Sequence, residues 1–201
     1  MSANRVAIID SGGANIASLV NALDRLGVVA TLTTDARTIQ NASHVILPGV
    51  GAAADAMRRL SNENLPKVIT GLSQPVLGIC LGMQLFARSS EEECAQCLGI
   101  IPAVVEKLHT SPQTPVPNMG WCRVNQIEQH ELFAGIENGS YFYFVHSFAL
   151  AQGEYTLATA DHSAPFTAVL AYQNFFATQF HPERSAQAGS TLLGNFLKIA
   201  S

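Results

Sequence analysis

The sequence predicts an α/β fold: a mostly parallel central sheet flanked by helices on both faces, with additional antiparallel strands in the C-terminal half. Up to Cys80, strand-like apolar runs alternate with stretches whose apolar residues recur at helical spacing, the pattern of consecutive βα units. The run Val76-Leu77-Gly78-Ile79 is continuously apolar, which suits a strand buried on both faces. Beyond residue 98 the strand-like runs follow one another closely, which favours antiparallel pairing.

Taken in order, Arg5-Val6-Ala7-Ile8-Ile9-Asp10 reads as a strand that ends at Ser11-Gly12-Gly13. Asn15 can cap a helix whose apolar positions are Ile16, Leu19, Val20, Leu23 and Leu26, with Gly27 as its stop signal. Residues 28–33 are β-branched and strand-like, residues 35–41 suit a short helix, and His44-Val45-Ile46-Leu47 is another strand. The loop Pro48-Gly49-Val50-Gly51 closes that strand, and residues 52–60 and 65–72 are helical in pattern. After the strand at 76–79, residues 81–86 begin a helix. Strands are then expected over 98–108 and 120–127, separated by a loop carrying Pro112, Pro115 and Pro117. Further strands are expected at 141–150, 155–160, 166–172 and 175–180, and a closing helix at 187–200.

A chain of 201 residues suits one domain, 1–201, with a sizeable core. Hydrophobic residues make up 48% and charged residues 13%, which argues against disorder. A net charge of −4 gives no general electrostatic reason to bind nucleic acid or an anionic membrane. No apolar run reaches the ~18 residues of a membrane helix, and the N-terminus lacks the long apolar region of a signal peptide, so a cytoplasmic location is expected. The four cysteines do not suggest a disulfide framework in such a chain. Cys94-x-x-Cys97 lacks a second His/Cys pair at ligand spacing, so no metal site is expected there. Ser11-Gly12-Gly13 has neither the spacing of a dinucleotide fingerprint nor the Lys-Ser/Thr of a P-loop.

Cys80 stands at the join between strand and helix, with Gly78 two residues before it and Gly82 two after. That is the layout of a nucleophile elbow, a turn so sharp that only glycine leaves room for the neighbouring backbone. A thiol at a helix N-terminus is biased towards thiolate by the helix dipole. A buried core cysteine is the plain alternative, against which the two glycines weigh, since a strand interior gains nothing from them.

A cysteine nucleophile needs a base, and the base an orienting carboxylate. Of six histidines, His44, His109, His130 and His162 read as structural or solvated, and His146, inside an aromatic strand, as a satisfied core residue. His181 differs: it ends the strand at 175–180 and precedes Pro182-Glu183. Proline pushes His181 towards extended backbone, in which residues two apart share a face, so Glu183 can hold one ring nitrogen while the other faces the thiol. Strand ends gather at the carboxyl edge of an α/β sheet, so Cys80 and His181 can meet. Oxyanion donors are expected from the Leu81 N–H and from the Val50–Gly51 part of the Pro48–Gly51 loop, although that loop alone would pass for a strand-to-helix turn. The tract Glu91-Glu92-Glu93 reads as a solvated charge run, but its nearness to the elbow leaves open that one carboxylate turns inward.

Taken together, Gly78-Ile79-Cys80-Leu81-Gly82-Met83-Gln84, Pro48-Gly49-Val50-Gly51 and His181-Pro182-Glu183 resemble the class I (triad) glutamine amidotransferases. The resemblance is closer still to the glutaminase subunits of imidazole glycerol phosphate synthase, through Pro117-Asn118-Met119-Gly120-Trp121, residues 141–147 and residues 180–185. It runs nearly end to end. Asn118 stands where that pattern has His, Cys122 where it has Asn, and Phe148 where tyrosine is common. The resemblance implies glutamine hydrolysis by a Cys80–His181–Glu183 triad without a cofactor. Gln84 and Glu92 would grip the α-carboxylate and α-amino end of glutamine, with the backbone of Gly51, Ser147 and Phe148 nearby. It also implies a (β/α)8-barrel cyclase as heterodimer partner, met by Asn15, Trp121, Tyr143 and Arg184, which receives the ammonia for histidine biosynthesis. Two other readings compete: a glutaminase serving pyridoxal phosphate, anthranilate or p-aminobenzoate synthesis, and a catalytically silent α/β interaction module.

Overall fold

Continuous apolar runs become the inner strands of a sheet. In the computed structural model, which describes residues 5–12 and 16–200, β1 (Val6–Ile9) has its two faces committed to two different cores. Val6 and Ile8 pack on one side, with Leu19 and Leu23 of α1 (Ile16–Arg25). Ala7 and Ile9 pack on the other. This is the period of two expected of a strand covered by helices on both faces. The expected Asn15 helix cap falls outside the described residues.

The βα alternation then runs through β2 (Ala30–Thr33), α2 (Ala36–Gln40), β3 (His44–Gly49), α3 (Ala53–Asn62), α4 (Leu65–Thr70), β4 (Val76–Cys80) and α5 (Leu81–Leu85). Asp35 caps α2 by accepting the Thr38 N–H at 2.7 Å. β2 is an edge strand that pairs only with β1, and Val29, just before it, is 82% exposed.

The second half supplies β5 (Ser89–Ser90), β6 (Ala95–Gln96), β7 (Val104–Lys107), β8 (Asn118–Arg123), β9 (Asn125–Gln126), β10 (Tyr141–His146), β11 (Phe148–Leu150), β12 (Thr156–His162), β13 (Ala164–Tyr172), β14 (Phe175–Thr178) and α6 (Ala186–Phe196). The central sheet has the order β2-β1-β3-β4-β14-β13-β12-β9. Its pairs from β2 to β14 are parallel and those from β14 to β9 antiparallel. A β8–β10 ribbon and a four-stranded sheet, β11-β7-β5-β6, lie apart from it. The mostly parallel sheet with antiparallel additions is thus as expected. α1 and α6 cover one face, and residues from α2 to α5 the other.

Three expected strands come out differently. Of 98–108 only Val104–Lys107 is strand, because Leu98, Gly99 and Ile101 donate their backbone N–H groups to Leu85, Ala87 and Phe86. These residues satisfy the carbonyls at the end of α5 and have none left for a ladder. The run 120–127 begins at Asn118 and divides into β8 and β9. The run 141–150 divides at Ser147: β10 pairs with β8, whereas β11 pairs with β7. The closing helix ends at Phe196.

The crossover that sets the site is β14 beside β4. Thr178 pairs with Ile79, so the chain leaving β14 towards His181 emerges next to Cys80. On the other flank of β4, Gly49 pairs with Cys80, and the Pro48–Gly51 loop emerges there too. Three strands end at one carboxyl edge, where α/β sheets place their ligands.

Candidate active site

Cys80 has φ +53° and ψ −108°, a left-handed backbone that is strained for a residue with a side chain. Its neighbours explain how that is tolerated. A Cβ on Gly78 would lie 2.8 Å from the backbone of Gly82, and one on Gly82 would overlap the carbonyl oxygen of Leu47 in β3. Both glycines are therefore dictated by close backbone approach. The thiol is buried, at 6% exposure, yet it lines a cavity of about 270 Å3.

His181 and Glu183 meet as expected. The ring Nδ1 donates to Glu183 Oε1 at 2.8 Å, with both side chains 4% exposed. Nε2 makes no hydrogen bond among the described residues, and the ring lines the same cavity as the Cys80 thiol. Burial opposes charge on this ring, but the favourable interactions of Cys80 and Glu183 with its charged form prevail and push its pKa up to about 10. The backbone around the ring is pinned. His181 N–H donates to Tyr143 O at 2.9 Å, and Ser185 Oγ donates to His181 O at 2.7 Å.

Val50, Gly51 and Leu81, the expected oxyanion donors, line the same cavity as Cys80. Gly51 has φ +91°, which only glycine takes without strain. Gln84, Glu92, Ser147 and Phe148 line it too. Glu92 resolves the open question of the acidic tract. Its Oε2 accepts the Ala53 N–H at 2.8 Å, so the carboxylate caps α3, where Ala52 offers no side-chain cap. Gln84 Nε2 donates to Phe148 O at 2.8 Å and to Gln179 Oε1 at 3.1 Å, which leaves its Oε1 as the atom for a ligand.

Sequence reasoning missed three groups. Gln179, fully buried, donates Nε2 to Cys80 Sγ at 3.7 Å, and the thiol donates to Val145 O at 3.7 Å. Ser11 donates Oγ to Pro48 O at 2.7 Å and so fastens the loop that precedes Val50. The only signal for Gln179 was a long polar side chain, next to Thr178, in a mostly apolar run. For Ser11 and the Val145 carbonyl there was none, since both act through contacts distant in sequence.

His146 is a core histidine, as expected, but it also lines the cavity. Burial drops its pKa to about 4, despite the Phe148 carbonyl that favours its proton. A ring whose proton affinity is lowered by folding stabilises the fold above its unfolded pKa of about 6.5, and that stability drains away as pH falls towards 4. Urea unfolding is expected to lose roughly 3 kcal/mol more between pH 7 and pH 4 in the native chain than in His146→Gln, which cannot titrate. Equal acid sensitivity of the two would contradict this.

Among the proposed partner contacts, Trp121 is 52% exposed and stands edge-on to Tyr143, with ring centroids 6.1 Å apart. The Arg184 guanidinium lies 4.8 Å over the Tyr143 ring. Asn15 lies outside the described residues. Cys94 is exposed and Cys97 partly buried; among the described residues no three His, Cys, Asp or Glu side chains are grouped to hold a metal ion. No described helix is long and apolar enough to cross a membrane.

The family model "Glutamine amidotransferase class-I" matches residues 7–200. The chain is 50% identical to imidazole glycerol phosphate synthase subunit HisH 2 of Legionella pneumophila (strain Paris), over 98% of both chains. It is 45% identical to subunit HisH of Vibrio cholerae, over 96% of this chain and 98% of the relative. Among solved structures, one described as a glutamine amidotransferase superposes with TM-score 0.74 at 19% identity, covering 96% of this chain and 97% of the other. A second, a glutamine amidotransferase from Thermotoga maritima, superposes with TM-score 0.68 at 18% identity, covering 94% and 80%. At such identities these two bear on the fold alone.

Proposed function

This chain belongs to the class-I glutamine amidotransferase family, and from that premise we propose that it hydrolyses glutamine to glutamate and ammonia as the glutaminase subunit of imidazole glycerol phosphate synthase. The observation that carries the chemistry is one buried constellation: a strained Cys80 lining a cavity that His181 also lines, with His181 held by Glu183.

Cys80 Sγ, its proton passed to His181 Nε2, attacks the side-chain carbonyl carbon of glutamine, which fits the raised proton affinity of that ring. The negative oxygen that develops is met by the Leu81 N–H and by an N–H of the Val50–Gly51 segment. His181 returns the proton to the departing nitrogen, and the C–N bond breaks to leave ammonia and a glutamyl thioester. Water, deprotonated by the same ring, cleaves the thioester to glutamate and restores the thiol. Glu183 keeps the ring's other proton on Nδ1 throughout and balances the imidazolium. Gln84 Oε1 and the Glu92 carboxylate suit the α-ammonium of the substrate, because both present acceptors to the cavity.

Ammonia released into water is protonated and lost as a nucleophile, so an acceptor site must adjoin this one. The (β/α)8-barrel cyclase fits as a one-to-one partner in histidine biosynthesis. The outer face of the ribbon, where Met119 is 64%, Trp121 52% and Tyr141 59% exposed, supports docking there, with Tyr143 and Arg184 alongside.

An electrophilic glutamine analogue tests the assignment. Mass spectrometry is expected to find a single adduct on Cys80, with glutamine protecting it. Labelling of Cys94 or Cys122 without Cys80 would sink the proposal.

A further inference from the structure

The last pair of the β8–β10 ribbon joins Asn118 to His146, and both side chains point inward. Asn118 Nδ2 lies 3.1 Å from His146 Nε2, and His146 Nδ1 lies 2.9 Å from the Phe148 carbonyl oxygen. A carbonyl can only accept, so Nδ1 carries the proton and Nε2 is the acceptor for the asparagine amide. Cys122 donates its thiol to Asn118 Oδ1 at 3.4 Å, which orients that amide with its NH2 towards the ring. Donors and acceptors agree at every step of the row.

The row ends on an atom that matters to the cavity. The Phe148 oxygen also accepts from Gln84 Nε2, so both of its lone pairs are used within the protein. It is held from one side by the ribbon and from the other by the elbow helix. The same Gln84 amide continues to Gln179, whose Nε2 reaches Cys80 Sγ.

We propose that Asn118 and His146 are positioning residues for glutamine hydrolysis: they clamp the Phe148 carbonyl, and thereby hold both the Ser147–Phe148 wall of the glutamine cavity and the Gln84–Gln179 pair behind the thiol. The inference rests on the glutaminase reading of that cavity. It gives a role to Asn118 and Cys122, two of the three positions at which the sequence departs from the family pattern. Asn118 and Cys122 lie four residues apart along β8 and are bonded to each other, so the pair acts as one unit that keeps the Nδ1 proton of His146 directed at the carbonyl. The depressed proton affinity of His146, set first by its burial, keeps it in the neutral form that the row requires.

Two measurements test this. Long-range 1H–15N NMR of the full chain is expected to find the His146 ring neutral at pH 6 with its proton on Nδ1; a proton on Nε2 breaks both bonds and overturns the proposal whether or not the protein is a glutaminase. Steady-state glutaminase kinetics, with the full chain alone and with the cyclase subunit, form the second arm. Asn118→Leu and His146→Leu are expected to raise KM for glutamine about tenfold. His146→Gln, which retains a donor and an acceptor, should recover most of that loss. Loss of kcat alone, or KM unchanged within about twofold in folded Asn118→Leu, would overturn the clamp. Absence of activity in the native chain and complex would instead strike the glutaminase reading.

Discussion

Cys80→Ala is expected to abolish glutamine-dependent synthesis, on the order of a 10⁴-fold loss or more, while synthesis supplied with ammonium survives in the complex. The sulfur is the only atom lost, and the remaining Cβ meets the same φ of +53° that cysteine already tolerates. Stability should therefore change little, which a urea titration checks. What disappears is the proposed nucleophile, and the groups that touch the sulfur, Gln179 and the Val145 carbonyl, carry no nucleophilic centre to replace it. On the proposed division of labour, the acceptor chemistry resides in the partner and needs only ammonia. Concerted loss of both activities would mean that the division between glutaminase and cyclase is wrong.

Gly82→Ala is expected to destabilise the fold by roughly 3 kcal/mol or more and to remove glutaminase activity with it. The new methyl would overlap the Leu47 carbonyl oxygen, which belongs to the middle of the sheet, where Leu47 is fully buried. Backbone cannot yield as a flexible side chain can, so β3 and the start of α5 must separate, and Cys80 moves with them. Gly194→Ala is the matched control. In α6 its Cβ would meet only Leu26 Cδ2 at 3.7 Å, an ordinary contact, and the change should be neutral or stabilising by up to about 1 kcal/mol. Equal urea midpoints for Gly82→Ala and the native chain would refute this view of the elbow.

Some of the site was legible because it is local. Gly78, Cys80 and Gly82 lie within five residues, and the strain they relieve belongs to that turn. His181-Pro182-Glu183 is local as well: the Nδ1–Oε1 bond follows from residues two apart. The acidic tract was ambiguous, since three adjacent glutamates have equal charge. Only the uncapped N-terminus of α3 selects Glu92. His146 was read correctly as a core residue, yet its bond to Phe148, across the break between two sheets, could not be seen in a run that reads as one continuous strand.

By itself, the sequence determined the layers of the fold and singled out Cys80, His181 and Glu183 as the proposed triad, because apolar period, glycine at a crowded turn and proline after histidine each act within a few residues. Tertiary structure alone decided what surrounds the sulfur: Gln179 from β14's end, the Val145 carbonyl from the ribbon, and Ser11 fastening the Pro48 loop. These are contacts between segments far apart along the chain. Their partners are set by strand order and register, in particular by β14 inserting beside β4, and no local pattern encodes that choice.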